Sequence, residues 1–173
     1  MDDDARQDTS DGAARIRAAT ASDATFLRQM LAVAADWRPG ALRPVDQVLA
    51  DPALAHYVVG WPREDDFGVV AEDDAGRPVG AAWCRRFPAD DPGYGFVAPD
   101  VPELAIAVVE GARGRQVGRQ LLEHLRAEAR ERAVDRVSLS VERDNPAVRL
   151  YASVGFVTVG EHDGSLTMVL DTA

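Results

Sequence analysis

The stretch that leaves this chain the fewest options runs from Val108 to Leu122. A hydrophobic strand carrying Leu104, Ile106 and Val108 leads into a glycine- and arginine-rich turn, Gly111 to Gly118. A helix follows, with Val117, Leu121, Leu122 and Leu125 at helical spacing. A strand, a tight basic turn and a helix start, in that order, suit a phosphate. The first N–H groups of a helix lack internal acceptors, and the macrodipole adds partial positive charge there. Arg113, Arg115 and Arg119 bring formal charge and forked donors that match phosphate oxygens. The turn is therefore expected to hold a phosphorylated ligand, against the plainer alternative of arginines solvated on an ordinary surface turn.

The glycine spacing narrows the ligand. A dinucleotide site would show GxGxxG and a nucleoside triphosphate site GxxxxGK[ST]. Neither is present, and the chain has no lysine at all. The run from Arg113 through Gly114, Arg115, Gln116 and Val117 to Gly118 resembles the R/Q-x-x-G-x-G/A pyrophosphate loop of the GNAT superfamily of N-acyltransferases. Gln116 stands where that family most often has its middle glycine, so its side chain must turn away from the ligand.

A second motif lies about thirty residues on, between Arg143 and Phe156. Asn145, Arg149, Tyr151, Gly155 and Phe156 stand close to the N-x-x-A/S-x-x-x-Y-x-x-x-G-F pattern that GNAT enzymes commonly carry after their fifth strand. By its own chemistry Asn145 before Pro146 is a helix N-cap, and Tyr151 is a half-buried aromatic. The resemblance, which extends more weakly over residues 15–170, implies more. The fold would be α/β of mixed type: one domain with a central, mostly antiparallel sheet of six or seven strands, splayed at strands 4 and 5 through a bulge, with helices on both faces. Acetyl-CoA would be the co-substrate, met by Ile106, Val108, residues 113–119 (Arg113, Gly114, Arg115, Gln116, Val117, Gly118, Arg119) and Asn145. Tyr151 would return a proton to the departing thiolate, and Glu103 would take the amine's proton, often through water. Glu103 reads equally well as an exposed carboxylate at a strand end. An oxyanion donor is expected from a backbone N–H near Val108 or Val109.

The acceptor implied is a small-molecule or peptide amine, with Trp37, Tyr57 and Tyr94 as candidate wall residues. Carboxylates at Glu64, Asp65, Asp66, Asp90 and Asp91 would either attract a cationic amine or be solvated loop charges. Cys84 sits among small apolar residues on a strand and reads as an inert thiol rather than an acyl-accepting nucleophile. His56, His124 and His162 have no ligand spacing, so no metal is expected. Two rival readings remain open: a catalytically silent acyl-CoA-binding or regulatory domain, and an acyltransferase using a longer acyl-CoA. A homodimer is compatible with all of them.

Composition bounds the remainder. At 173 residues, 46% hydrophobic and 28% charged, the chain is of globular size and can bury a core. A net charge of −10 argues against nucleic acid as a partner. No apolar run reaches membrane-span length, no secretion signal is evident, and one cysteine leaves no internal disulfide, so the expected compartment is the cytoplasm. Residues 1–14 are acidic and poor in large apolar side chains and are expected to be disordered, leaving residues 15–173 as the acyltransferase domain.

Overall fold

The computed structural model describes residues 14–40 and 42–173. Apart from Ala14, the expected acidic tail lies outside the described residues. One seven-stranded sheet, in the order β1-β2-β3-β4-β5-β7-β6, forms the centre. Its left half is an antiparallel run of β1 (Arg15–Ala18), β2 (Phe67–Glu72), β3 (Pro78–Arg85) and β4 (Glu103–Val108). Its right half pairs β5 (Arg136–Glu142), β7 (Ser165–Asp171) and β6 (Val157–His162), also antiparallel. The β2–β3 hairpin turns at Asp73–Gly76: Asp73 Oδ1 accepts from the N–H groups of Ala75 and Arg77 at 3.0 and 2.9 Å, and Gly76 takes a left-handed φ of 74°.

Among the described residues, five α-helices cover the two faces. On one side lie α1 (Ala24–Ala35), α2 (Val45–Leu49) and α3 (Pro52–Ala55). Leu27, Met30, Leu31 and Val48 pack there on Val70, Ala81, Trp83 and Ala107 of the sheet. On the other side lie α4 (Val117–Glu131) and α5 (Ala147–Ser153), with Leu121, Leu122, Leu125 and Tyr151 against Val69, Ala82, Cys84, Leu139 and Met168. Strand alternation on β3 thus assigns Ala81 and Trp83 to one core and Ala82 and Cys84 to the other. Each layer buries an apolar stripe that neither helix nor sheet could leave in water.

The two halves of the sheet meet at one point. Strands β4 and β5 run parallel and pair only at Glu103 and Ser138, where the Ser138 N–H donates to Pro102 O at 3.0 Å. Beyond that pair they diverge. The splay expected from the family resemblance is present, but its expected device is not. β4 keeps one register with β3 from Glu103 to Val108, without a bulge. The β3–β4 loop instead sends Gly95 back against β5, where a Cβ would lie 2.4 Å from the Leu139 carbonyl carbon. Only glycine fits that approach.

Candidate active site

The divergence of β4 and β5 opens a cleft of about 800 Å³. One wall is β4 from Glu103 to Val108, the other is β5 from Leu139 to Glu142, and the ends are closed by α1, α5 and the loops carrying Trp37 and Tyr94. Of the residues singled out in the sequence, Trp37, Tyr57, Tyr94, Glu103, Ile106, Val108, Arg113, Asn145 and Tyr151 all line this space. They come from seven separate stretches of chain, from Trp37 to Tyr151. The splay is what brings them together.

Backbone parity decides which groups of β4 face the cleft. The Val109 N–H donates to Val79 O at 2.9 Å, so residues 109, 107, 105 and 103 point their hydrogen-bonding groups at β3. The intervening residues, Ile106 and Val108, turn theirs away from β3, toward the side where β5 has departed. Arg113 Nε donates to Val108 O at 3.2 Å from that side, as this parity requires. Of the two oxyanion donors expected, Val109 is therefore excluded because its N–H is already spent. The Val108 N–H is the available donor.

At the far end of β4 the chain passes through a short 3-10 turn at Glu110–Ala112 into residues 113–119. Among the described residues, no backbone carbonyl accepts from the N–H groups of residues 114–119. Gly114 and Gln116 are both left-handed, with φ of 77° and 59°, separated by Arg115. Left-handed residues at this spacing fold successive N–H groups into a concavity suited to an anion, ahead of the positive end of α4. Unspent donors and backbone shape would together suit a pyrophosphate. The side chains divide. Arg113 and Arg115 are exposed, whereas Arg119 is drawn sideways, donating to Ser153 Oγ at 2.7 Å and lying 3.9 Å from Glu123. Val117 is core, so only its N–H faces out. Gly118 lets α4 approach α5, since a Cβ there would stand 3.0 Å from Leu150 Cδ2.

Gln116 explains itself in this geometry. The position needs a left-handed residue, for which glycine is the unstrained choice, and glutamine adopts it at a cost of roughly 1 kcal/mol. Gln116→Gly is expected to raise unfolding free energy by about 0.5–1 kcal/mol. Urea denaturation of the two proteins measures it, and a destabilised variant would mean the side chain has contacts that outweigh the strain.

Asn145 caps α5 through Oδ1, which accepts from the Ala147 N–H at 2.9 Å. Asn145 lines the cleft beside Pro146. Tyr151 is buried, packed edge-on against Phe156 with centroids 5.8 Å apart. Its hydroxyl has no hydrogen-bond partner among the described residues. Burial pushes the phenol up to about 12, so it is a proton carrier at neutral pH. Gly155, at φ 106°, ends α5 and lets Phe156 turn back into the core.

Glu103 is not an exposed strand end. It is 3% accessible, and burial raises its carboxyl to about 7 against the opposing pull of hydrogen bonds from Tyr57 and Gly95. Tyr57 Oη donates to Glu103 Oε1, the Gly95 N–H donates to the same oxygen at 2.7 Å, and the Tyr94 N–H donates to Tyr57 Oη at 2.8 Å. Glu103 Oε2 is buried and unpartnered among the described residues. The loop glycines Gly93 and Gly95 that enclose this carboxyl were not singled out by sequence reasoning, although Gly-Tyr-Gly inside a Pro/Asp-rich loop is the kind of signal that marks a close backbone approach.

The acidic loop expected at the acceptor entrance is dispersed. Asp66 is internal, paired with Arg85 at 2.5 Å, both nearly inaccessible. Glu64 and Asp65 line a separate hollow with Phe67 and Arg132, and Asp91 contacts His56 Nδ1 at 3.2 Å. Removing the partner of a buried charge is costly, so Asp66 belongs to the scaffold. Cys84 is fully buried with its thiol pushed up by desolvation, and it does not line the cleft. Among the described residues no group of three metal-ligating side chains is assembled, and no helix is long and apolar enough to cross a membrane.

Known proteins share this fold. The chain is similar to the ribosomal-protein-alanine N-acetyltransferase of Brucella melitensis (28% identity, 91% of this chain and 99% of that one, TM-score 0.64). In fold it also matches the paia N-acetyltransferase of Thermoplasma acidophilum, solved in complex with coenzyme A (14%, 92% and 99%, TM-score 0.66). A third match is yncA of Salmonella typhimurium, solved with acetyl-CoA (24%, 93% and 95%, TM-score 0.62). No curated protein matches in sequence. The model of the acetyltransferase (GNAT) family matches residues 31–156, which include both diverging strands, the turn and Tyr151, and the chain belongs to that family.

Proposed function

We propose that this protein is an N-acetyltransferase that moves an acetyl group from acetyl-CoA to a primary amine by direct attack in a ternary complex. One observation carries the reading: a single cleft holds a near-neutral buried carboxyl (Glu103), a free backbone donor (Val108) and an unpartnered phenol (Tyr151), and Arg113 on its lining leads in the chain to the unspent N–H groups of residues 114–119. The sheet that runs from Arg15 to Asp171 supports reading residues 15–173 as one acyltransferase unit.

The co-substrate supplies a thioester carbonyl and a sulfur leaving group. The N–H groups of residues 114–119, with Arg113 and Arg115, would hold its pyrophosphate, while Ile106, Val108 and Asn145 offer backbone and amide groups along its arm. Glu103, ionised above about pH 7, takes a proton from the amine, directly or through water. The Val108 N–H donates toward the carbonyl oxygen as negative charge develops on it. Tyr151 donates its O–H toward sulfur. A phenol near 12 is a weaker acid than a thiol near 8.5, so Tyr151 acts as a fixed hydrogen-bond donor to the thiolate more than as a source of a fully transferred proton. With Cys84 out of reach, no thiol in the cleft competes as an acyl acceptor. Trp37, Tyr57 and Tyr94 give the acceptor end aromatic walls, suited to an amine on an apolar body, whether a small molecule or a peptide end.

Calorimetry with acetyl-CoA, followed by thiol release with a panel of diamines, amino acids and short peptides, tests the reading. The Arg113→Ala, Arg115→Ala double variant is expected to bind acetyl-CoA roughly tenfold or more weakly, through lost charge-assisted contacts. Absence of binding to the wild type would refute the proposal. Binding without turnover by any amine class would leave a silent acyl-CoA-binding domain.

A further inference from the structure

We propose that Tyr57 is a positioning residue for Glu103: with the Gly95 N–H it occupies Oε1 and leaves Oε2 as the one oxygen that takes up a proton. The inference rests on the reading of Glu103 as the amine's base and adds a residue to it. Tyr57 follows α3, 46 positions before Glu103 in the chain, and reaches it across the acceptor end of the cleft.

The directions of the hydrogen bonds carry the argument. A phenol has one proton and accepts through its oxygen. The Tyr94 N–H already points at Tyr57 Oη from 2.8 Å, so the phenol proton is directed at Glu103 Oε1. Desolvation and the Glu103 charge push the Tyr57 phenol far above its ordinary range, so it remains the donor at every working pH. Oε1 accepts a second hydrogen bond from the Gly95 N–H. A proton placed on Oε1 would face two donors head-on. Oε2 faces none, and it is enclosed from the loop side by Gly93, where a Cβ would fall 2.0 Å away. Tyr57, Gly93 and Gly95 therefore hold the carboxyl in one orientation.

No competing charge sets the state of this carboxyl. Arg85, its cross-strand neighbour on β3, gives its guanidinium to Asp66 and to the carbonyls of His56 and Val59. The Cys84 thiol, on the same strand, is held neutral by burial. His56 meets Tyr57 edge-on with centroids 4.9 Å apart and turns Nδ1 to Asp91, and Tyr94, an exposed residue, stacks on Tyr57 at 6.4 Å. Two hydrogen bonds, from Tyr57 and Gly95, are what favour the ionised form.

The test is direct and needs no acceptor. Protein labelled with [13Cδ]glutamate is titrated by NMR, and the Glu103 signal is assigned by its loss in Glu103→Gln. Tyr57→Phe removes one donor to the carboxylate, so the Glu103 midpoint is expected to rise by about one pH unit or more. Retained acetyl-CoA affinity shows that the variant is folded. Global 3-fluorotyrosine incorporation strengthens the donor without removing an atom and covers the case of a variant that does not fold. It moves the midpoint down, because Tyr57 alone among the three tyrosines donates to Glu103. A midpoint that stays in place under both changes overturns the inference while leaving the base reading untouched. Normal turnover by Glu103→Gln would instead remove the base reading, and the titration would still decide whether Tyr57 holds the carboxyl.

Discussion

Tyr151→Phe is expected to lower kcat by about a hundredfold or more and to leave acetyl-CoA affinity close to that of the wild type. The substitution removes one oxygen. The ring keeps its edge contact with Phe156 and its place in the core behind α5, so the fold has little reason to change. The residues expected to bind pyrophosphate lie in the turn at 114–119, on another element, and lose nothing. What disappears is a protonated donor in the cleft that has no competing partner among the described residues. Because burial holds this phenol up to about 12, its proton is present throughout the neutral range. The loss in rate is therefore expected to be the same from about pH 7 to about pH 9, not confined to one limb of the profile. Thiol release measured against pH on the two proteins, with calorimetry alongside, is the check. An unchanged kcat would return Tyr151 to the core as a packing residue, and a loss that appears only as weaker acetyl-CoA binding would mean its hydroxyl holds the ligand instead.

How much of this site was legible in the chain depends on the distance over which each feature is decided. The turn at 111–118 could be read because strand alternation, glycine spacing and helical periodicity are local, and the structure sets each element within a few residues of its expected span. The cap at Asn145 and the helix stop at Gly155 are local in the same way. The state of Glu103 was not. Its burial depends on Tyr57 and on Gly95, contacts that close only when the sheet and the β3–β4 loop have formed. The same holds for Arg85. Nothing near it in the chain announced that Asp66, which reads as a loop charge, would be its buried partner. The choice between Val108 and Val109 required the hydrogen-bond parity of β4 against β3, which register alone supplies. Gln116 is the converse case: the left-handed conformation is local, but a residue type that rarely adopts it concealed it.

Glu103→Gln is expected to lower activity by about a hundredfold or more at about pH 8 and, at the same pH, to make the protein more stable. Both effects come from one cause. Burial raises the carboxyl from 4.5 to about 7, so the folded protein binds this proton more tightly than the unfolded chain does. The associated stability is complete below about 4.5 and is lost as pH rises through about 7. Above that, the wild type holds an ionised carboxylate in a dry site, at a cost of the order of 1–3 kcal/mol. Glutamine keeps the shape and still accepts at one oxygen from Tyr57 and Gly95, but it never ionises. Thermal unfolding at about pH 5 and about pH 8 isolates the term, because every other titrating group is common to the two proteins and cancels in the difference. The variant's melting temperature relative to the wild type is expected to rise between the two conditions by several degrees, at roughly 2–4 °C per kcal/mol for a chain of this size. A gap that does not change with pH would mean that Glu103 is hydrated and ionises as an ordinary carboxylate. The base reading would then lose its physical ground, since it is the unfavourable burial of the carboxylate that gives Glu103 its appetite for a proton at neutral pH.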